Sequence, residues 1–398
     1  MRLPRLLYRK QMKNKANTIR HLSEMILKSI GVKRSDYQVH EPIISKSAET
    51  HILKCVKSNY VSSLGDYLDK FENKLKEITG SKYILLTNSG TAALFISLKQ
   101  LKVEKSEVLM PSMTFAATSN AVIYNNAIPH YIDSMAKNPC LDIDKLAEYL
   151  SQTCAMKEGI CYNKDSKRKI KTIIVVHPFG YTVDMNRLIK LCNKYNIKIL
   201  EDAAGALGSY YKKKHVGTFA DFGILSFNGN KIVTTGMGGA ILMNNHKDYK
   251  VIKHLISTAR LEHPYEISHD KVGYNLRMSN INAALGYAQL LSLKTTLRKK
   301  KKLYEKYSSN ISKLELCDFI KEDDYSKQNN WVNNLVIKDE YIGMRSDIFK
   351  YLHSHGIKCR ATWKPQHLLK MNLNYPRMKM DNCVKLWKSI ISLPSSYI

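Results

Sequence analysis

Lys231 lies in "SFNGNKIVTTGMGGAI", residues 226–241, a run of glycines and small residues between apolar, strand-like stretches. An amine in a dry pocket of small residues has a lowered pKa and can attack a carbonyl carbon to form a Schiff base. One lysine among 63 Lys and Arg is ordinarily a surface residue, so the company it keeps decides. "IKILEDAAG" carries an apolar strand into Glu201 and Asp202. A buried carboxylate there needs a partner, which a helix N-terminus, a salt bridge or a protonated ring nitrogen would supply. "TNSGTAALFISL" sets Asn88, Ser89, Gly90 and Thr91 between a strand and a helix, where free backbone N–H groups and a hydroxyl hold a phosphate or serve as a plain N-cap. "PSMTFAATSNAV" puts Phe115 just after a strand, either as a core aromatic or as a flat surface for a heteroaromatic ring. A phosphate cradle, a stacking ring, a carboxylate for a pyridinium nitrogen and a Schiff-base lysine are together the parts of a pyridoxal 5′-phosphate site.

Positioning them requires a doubly wound sheet. From residue 80 to about 260, strand-like runs ("KYILLT", "EVLMPS", "IPHYID", "IKTIIVVHPF", "IKILED") alternate with helix-like ones ("GTAALFISLKQL", "DIDKLAEYL", "DMNRLIKLCNKY"). The strands are nearly continuous in apolar residues, as in a sheet buried on both faces. Ligands of such sheets gather at the carboxyl ends of the strands, and all four candidate stretches fall at strand ends. The lysine-rich "CYNKDSKRK" within residues 143–170 is expected as a surface loop. Past residue 290 a charged helix, "WVNNLVI", "RSDIFKYLHSHG" and "IKCRAT" read as a separate α+β layer. The expected division is a basic N-terminal extension over 1–38, a cofactor-binding large domain over 39–290 and a small C-terminal domain over 291–398.

The 398 residues suffice for a large core, and 44% hydrophobic content fits a globular protein. No apolar run reaches the length of a membrane span. The eight cysteines lack CxxC spacing, which points to neither a disulfide framework nor a metal site and suits a reducing cytoplasm. The net charge of +29 favours anionic partners. The lysines are spread along the chain without any nucleic-acid-binding signature, so small anionic substrates are expected and nucleic acid is not. The first 23 residues hold seven Lys/Arg and no acid. They resemble a transit peptide in charge but lack a secretory apolar core, and read as a basic helix on the protein surface.

The words "YVSSLGDYLDKFE", "NSGTAALFISL", "VLMPSMTFAATSNAV", "VHPFGYTVDMNRL", "ILEDAAGALGSYY", "VGTFADFGILSFNGNK", "TTGMGGAI" and "VGYNLRMSNINAALGYAQL" resemble the DegT/DnrJ/EryC1/StrS family of aminotransferases acting on nucleotide-linked keto sugars. They cover residues 40 to about 290 in register. The tail, "RATWKPQHLL" with "LPSS" near the end, is similar to the subgroup that makes 4-amino-4,6-dideoxy sugars for legionaminic acid, bacillosamine and related glycans.

The resemblance implies a fold-type I α/β architecture, with a mostly parallel seven-stranded sheet in the large domain and a smaller α+β domain. It implies that Lys231 holds pyridoxal 5′-phosphate and shuttles protons, that Asp202 pairs with the pyridine nitrogen, that Phe115 stacks on the ring and that Gly90, Thr91 and Ser226 bind the phosphate. Asn275 would reach the cofactor phosphate of a neighbouring subunit, which makes the expected assembly a homodimer with shared sites. L-glutamate is the expected donor and a nucleotide-linked 4-keto-6-deoxy sugar the acceptor. Arg277, Arg360, Lys364 and His367 are candidates for its diphosphate, or else surface charges and structural ion pairs. One position departs from the family pattern: where Gln, Glu or His is usual, this chain has Gly205, and a water would replace the missing contact. Related sugar dehydratases carry histidine in place of the lysine, so Lys231 argues against dehydration. Transfer to carbon 3, or a catalytically idle binding protein on the same fold, are the alternatives.

Overall fold

A computed structural model describes residues 2–31 and 35–396 of the chain, with side chains from residue 15 onward. Its strands are β1 Tyr83–Thr87, β2 Glu107–Pro111, β3 Ile128–Ile132, β4 Cys154–Lys157, β5 Ile160–Asn163, β6 Lys169–Val176, β7 Lys198–Asp202, β8 Tyr210–Tyr211, β9 Lys214–His215, β10 Phe222–Ser226 and β11 Gly239–Met243, followed by β12 Cys317–Phe319, β13 Ser326–Lys327, β14 Asn334–Ile337, β15 Arg360–Ala361 and β16 Ile390–Ser392. The helices are α1 Arg2–Ile30, α2 Lys46–Lys57, α3 Asp66–Thr79, α4 Gly90–Gln100, α5 Ala116–Tyr124, α6 Ile143–Thr153, α7 Met185–Lys194, α8 His246–Ile256, α9 Asn280–Ile311, α10 Arg345–Ser354 and α11 Asp381–Ser389.

Seven strands form the path β1-β11-β10-β7-β6-β2-β3. The pairs from β10 through β7, β6 and β2 to β3 are parallel, and β11 runs against both β10 and β1. The carboxyl ends of β1, β2, β3, β6, β7 and β10 therefore share one edge. β2 is buried at every position, and β3 and β7 at all but their first, because helices cover both faces. The expected sheet and its strands are present, with ends shifted by up to three residues.

The hairpin β4–β5 adds two antiparallel strands at β6, so part of "CYNKDSKRK" is strand and not loop. Its polar residues turn inward: Asn163 Nδ2 and Ser166 Oγ donate to the buried Glu107 carboxylate, which also meets His130 Nδ1 at 2.8 Å. An inward polar residue looks like a surface residue in sequence, which hid the strand.

A second sheet, β12-β14-β16-β15, is built from the C-terminal part. Between the two sheets runs α9, 32 residues long and continuous through position 290. Its second half packs Leu303, Tyr307 and Ile311 against Ile19, Leu22 and Ile26 of α1 and Ile348 and Leu352 of α10. Each such burial contributes roughly 1.5–3 kcal/mol, so the basic N-terminal segment is a helix fastened to this core. Among the described residues no helix is long and apolar enough to cross a membrane.

Candidate active site

The shared edge opens into a cleft of about 380 Å³. Gly90, Thr91, Phe115, Asp202, Ser226, Lys231 and Arg360 all line it, although they come from six separate stretches of chain.

β1 ends at Thr87 and α4 starts three residues later, with Ser89 as its N-cap accepting from the Ala92 N–H at 3.0 Å. The backbone N–H groups of the first turn, which lack helical acceptors, face Ser226 at the end of β10. The fit is tight: a Cβ on Gly90 would lie 3.0 Å from Ser226 Cβ, and one on Gly239 would lie 2.6 Å from Gly90 N. Two glycines thus bring a helix N-terminus and a serine hydroxyl to one point, an anion cradle.

β7 delivers two adjacent acids to opposite faces, as the pleat requires. Asp202 faces the cleft; its Oδ2 accepts from Thr118 Oγ1 at 2.8 Å and its Oδ1 from the Ala204 N–H at 3.2 Å. Burial pushes its pKa up, while these two bonds and Lys231 pull it back. Glu201 points the other way and is a structural hub: the N–H groups of Gly217, Phe219 and Ala220 donate to it at 2.7, 2.6 and 2.9 Å, and His177 Nε2 lies at 3.1 Å. Glu201→Ala removes the acceptor of three backbone donors, the Gly217 N–H fully buried, and the partner of a buried histidine. The expected loss is about 3–5 kcal/mol of stability, the scale for breaking a buried charged cluster, measured by denaturant unfolding; an unchanged midpoint would contradict the hub.

Lys231 follows β10 through a turn in which its N–H donates to the Asn228 carbonyl at 2.9 Å. Burial pushes its amine down to about 8, against the pull of Asp202. Burial therefore drives both groups of this pair toward their neutral forms. The amine is 4.0 Å from the centre of the Trp331 ring.

Pyridoxal 5′-phosphate fits these residues. The cradle suits its phosphate, Asp202 is a buried carboxyl whose charged form a cationic ring nitrogen would favour, and Lys231 is an amine whose pKa burial lowers beside it. Phe115, 61% exposed, stands at the cleft mouth.

The remaining candidates separate. Arg360 is exposed at the cleft, whereas Lys364 lies over the Trp387 ring at 5.9 Å and is not part of the lining. His367 is a correction: it is 5% exposed, its Nδ1 sits 2.7 Å from Ser112 Oγ, and it is outside the cleft lining. Its role here is to join the C-terminal segment to the end of β2. Asn275 and Arg277 are exposed on a segment beside the end of β1, where the Asn88 N–H donates to the Leu276 carbonyl at 2.8 Å. They do not line this chain's cleft.

Gly205 lines the cleft with the Trp331 indole packed against it. A Cβ on Gly205 would lie 2.7 Å from Trp331 Cε3 and Cζ3, so the indole fills the space a side chain would take. Gly205→Ala is expected to cost about 1–3 kcal/mol through overpacking, seen as a lowered thermal midpoint; no change would mean the indole moves aside freely. Sequence reading missed Trp331, which was read only as part of the C-terminal α+β layer. The stacked pair Phe179 and Trp363, 4.3 Å apart, also lines the cleft and was missed. Both arise from contacts between segments distant in sequence, which no local pattern marks.

The sequence matches the DegT/DnrJ/EryC1/StrS aminotransferase family over residues 42–397. It is 30% identical over 334 residues to the GDP-perosamine synthase of Escherichia coli O157:H7, covering 84% of this chain and 86% of that protein. It is 30% identical over 356 residues to the UDP-4-amino-4,6-dideoxy-N-acetyl-β-L-altrosamine transaminase of Campylobacter jejuni, covering 88% and 90%. In fold it resembles Helicobacter pylori PseC, an aminotransferase involved in the biosynthesis of pseudoaminic acid, with a TM-score of 0.80, 23% identity and coverage of 90% and 93%.

Proposed function

The chain belongs to the DegT/DnrJ/EryC1/StrS aminotransferase family, and from that premise we propose that it moves an amine from L-glutamate to the 4-keto carbon of a nucleotide-linked 4-keto-6-deoxy, N-acetylated sugar. It is a pyridoxal 5′-phosphate-dependent sugar aminotransferase. The observation that supports the reading most is the meeting of Lys231 and Asp202 in one cleft beside the first turn of α4. The activities named for the E. coli and C. jejuni relatives support a nucleotide-linked substrate, and the second supports a 4-amino-4,6-dideoxy, N-acetylated product. We place the product in amino-sugar or nonulosonic acid synthesis for surface glycans, lipopolysaccharide among them. We place the enzyme in the cytoplasm, where its eight free, buried thiols stay reduced.

Bound pyridoxal 5′-phosphate supplies the electron sink that amine transfer requires. Lys231 would hold it, Asp202 would keep its ring nitrogen protonated, Phe115 would lie against its ring, and Gly90, Thr91 and Ser226 would bind its phosphate. Once free, Lys231 Nζ would take the proton from the α-carbon of glutamate, and would later give a proton to carbon 4 of the sugar. An amine lowered to about 8 is suited to both tasks near neutral pH. Arg360, exposed at the cleft, would meet the diphosphate; Arg277 would do so from a second copy of the chain. Asn275 faces outward and would complete the phosphate site of that second copy. Phe115 and Met237, 61% and 66% exposed, form an apolar rim that such a homodimer would cover.

The reading is tested by supplying L-glutamate, the cofactor and a panel of UDP- and GDP-linked 4-keto-6-deoxy sugars to the purified protein. One 2-oxoglutarate should appear for each 4-amino sugar formed. Acceptance of 3-keto sugars alone would move the chemistry to carbon 3, and cofactor uptake without transfer to any sugar would leave a binding protein.

A further inference from the structure

We propose that Trp331 is a positioning residue for Lys231: its indole shields one face of the amine from water and fixes the turn that carries it. The proposal rests on Lys231 being the lysine that holds the cofactor.

The indole is fastened on several sides. Its Nε1–H donates to the Asn230 carbonyl at 2.7 Å, one residue before Lys231, so ring and amine are held in register. Its backbone N–H donates to Asn329 Oδ1 at 2.9 Å. The Asn329 amide nitrogen donates in turn to the carbonyls of Gly205 and Leu207, both at 2.9 Å, tying the tryptophan loop to the turn that follows Asp202. From the far side Lys300, 1% exposed, donates to the carbonyls of Trp331 at 3.0 Å and Ser395 at 2.7 Å. A lysine buried in α9 thus joins the tryptophan loop to the C-terminal segment. The ring itself is 5% exposed, with Gly205 against one part of it and Lys231 Nζ over it.

A tryptophan serving only to fill volume would have no need to aim its N–H at the residue preceding the amine. Nor would it have an amine over its face, where two opposed effects operate. The π face attracts an ammonium, and the loss of water disfavours one. Burial lowers the Lys231 pKa against the pull of Asp202, and the indole 4.0 Å from the amine is part of what buries it. The other titratable and charged groups around the amine are Asp202 at the end of β7 with His177 behind it, His40 from the segment before α2, and Arg360 from β15. Of these, His40 packs edge-on against the indole, 6.5 Å between ring centres, so Trp331→Phe, which keeps a ring there, is the control for its displacement.

The test measures the rate at which cofactor-free protein captures pyridoxal 5′-phosphate, by absorbance, across pH 6–10, for wild type, Trp331→Phe and Trp331→Ala. Capture needs the unprotonated amine, so the acid limb of the profile reports on Lys231. With the ring gone, water reaches the amine, its charged form is favoured, and the limb should move about one unit to higher pH, which slows capture about tenfold near pH 7. Trp331→Phe keeps a ring over the amine and should restore most of the profile. A purely packing role would lower the thermal midpoint and leave the limb where it was. An unmoved limb in a folded Trp331→Ala protein, or one moved to lower pH, overturns the proposal. Should that variant not fold, Trp331→Leu, which keeps much of the volume without the flat face, should show the same direction of shift, and an unmoved limb there overturns it equally. Wild-type protein that captures no cofactor would instead overturn the assignment of Lys231, and this proposal with it.

Discussion

Lys231→Ala should abolish amine transfer, with kcat falling on the order of 10⁵-fold or more, the scale seen when a residue that does covalent work is removed. In the proposed reaction the same nitrogen holds the cofactor and moves the protons, and among the described residues no other amine is placed to replace it. Lys300 is also buried with its amine pushed down to about 7, but its donors are committed to backbone carbonyls behind Trp331. Lys364 lies over Trp387, and neither lysine lines the cleft. The fold should survive, because alanine leaves the Asn228 carbonyl bonded to the backbone N–H at position 231. The check has two parts: the visible band of lysine-bound cofactor should be absent, and 2-oxoglutarate should not form from glutamate. A variant with wild-type turnover would mean that another group does this chemistry.

Asp202→Asn should lower kcat by about two to three orders of magnitude, equivalent to roughly 3–4 kcal/mol of lost transition-state stabilisation. Asparagine keeps the shape, and its one amide oxygen can still accept from the Ala204 N–H while its amide nitrogen donates to Thr118 Oγ1, but it cannot carry charge. What is lost is the ability to hold a ring nitrogen in its cationic, electron-withdrawing form. Stability should respond in the opposite sense. The folded-state pKa of Asp202 is raised, so the folded protein holds more protons than the unfolded chain between the two pKa values. Stability therefore falls as pH rises through that window, and at neutral pH the charged carboxylate is a cost to the cofactor-free fold. Cofactor-free Asp202→Asn should consequently unfold at the same or a higher temperature than wild type. A variant that is both fully active and less stable would contradict the role given to this residue.

The sequence and the structure agree most closely where chemistry depends on local pattern. Strand ends followed at once by small or polar residues are visible in a sequence, and Gly90, Thr91, Phe115, Asp202 and Lys231 were legible in this way, whereas Ser226 came only with the family resemblance; all six line the cleft. So was the parallel sheet, because strands buried on both faces are continuous in apolar residues. The reading of "CYNKDSKRK" was less successful, since Asn163 is polar and buried, and Ser166 half-buried, only because Glu107 accepts from both at the start of β2. The fate of Gly205 could not be read at all. Its neighbour is a tryptophan more than a hundred positions later, brought there by Asn329 and Lys300 through bonds to backbone carbonyls, which leave no trace in side-chain pattern. His367 failed for a related reason: a histidine in a basic, polar stretch looks available, and only the position of Ser112 shows that it is used for packing. Glu201 and Asp202 illustrate the limit within a single strand. They are adjacent and chemically alike, and the pleat alone sends one to a structural hub and the other to the cleft.

The central claim is that Lys231 and Asp202 work together in amine transfer, and it is tested most directly by the absorbance spectrum of purified protein given pyridoxal 5′-phosphate and then L-glutamate without any sugar. The account predicts a visible band on cofactor addition that moves to the near-ultraviolet, with 2-oxoglutarate released, when glutamate follows. A protein that takes up no cofactor, or holds it unchanged in the presence of every amino donor offered, would contradict it.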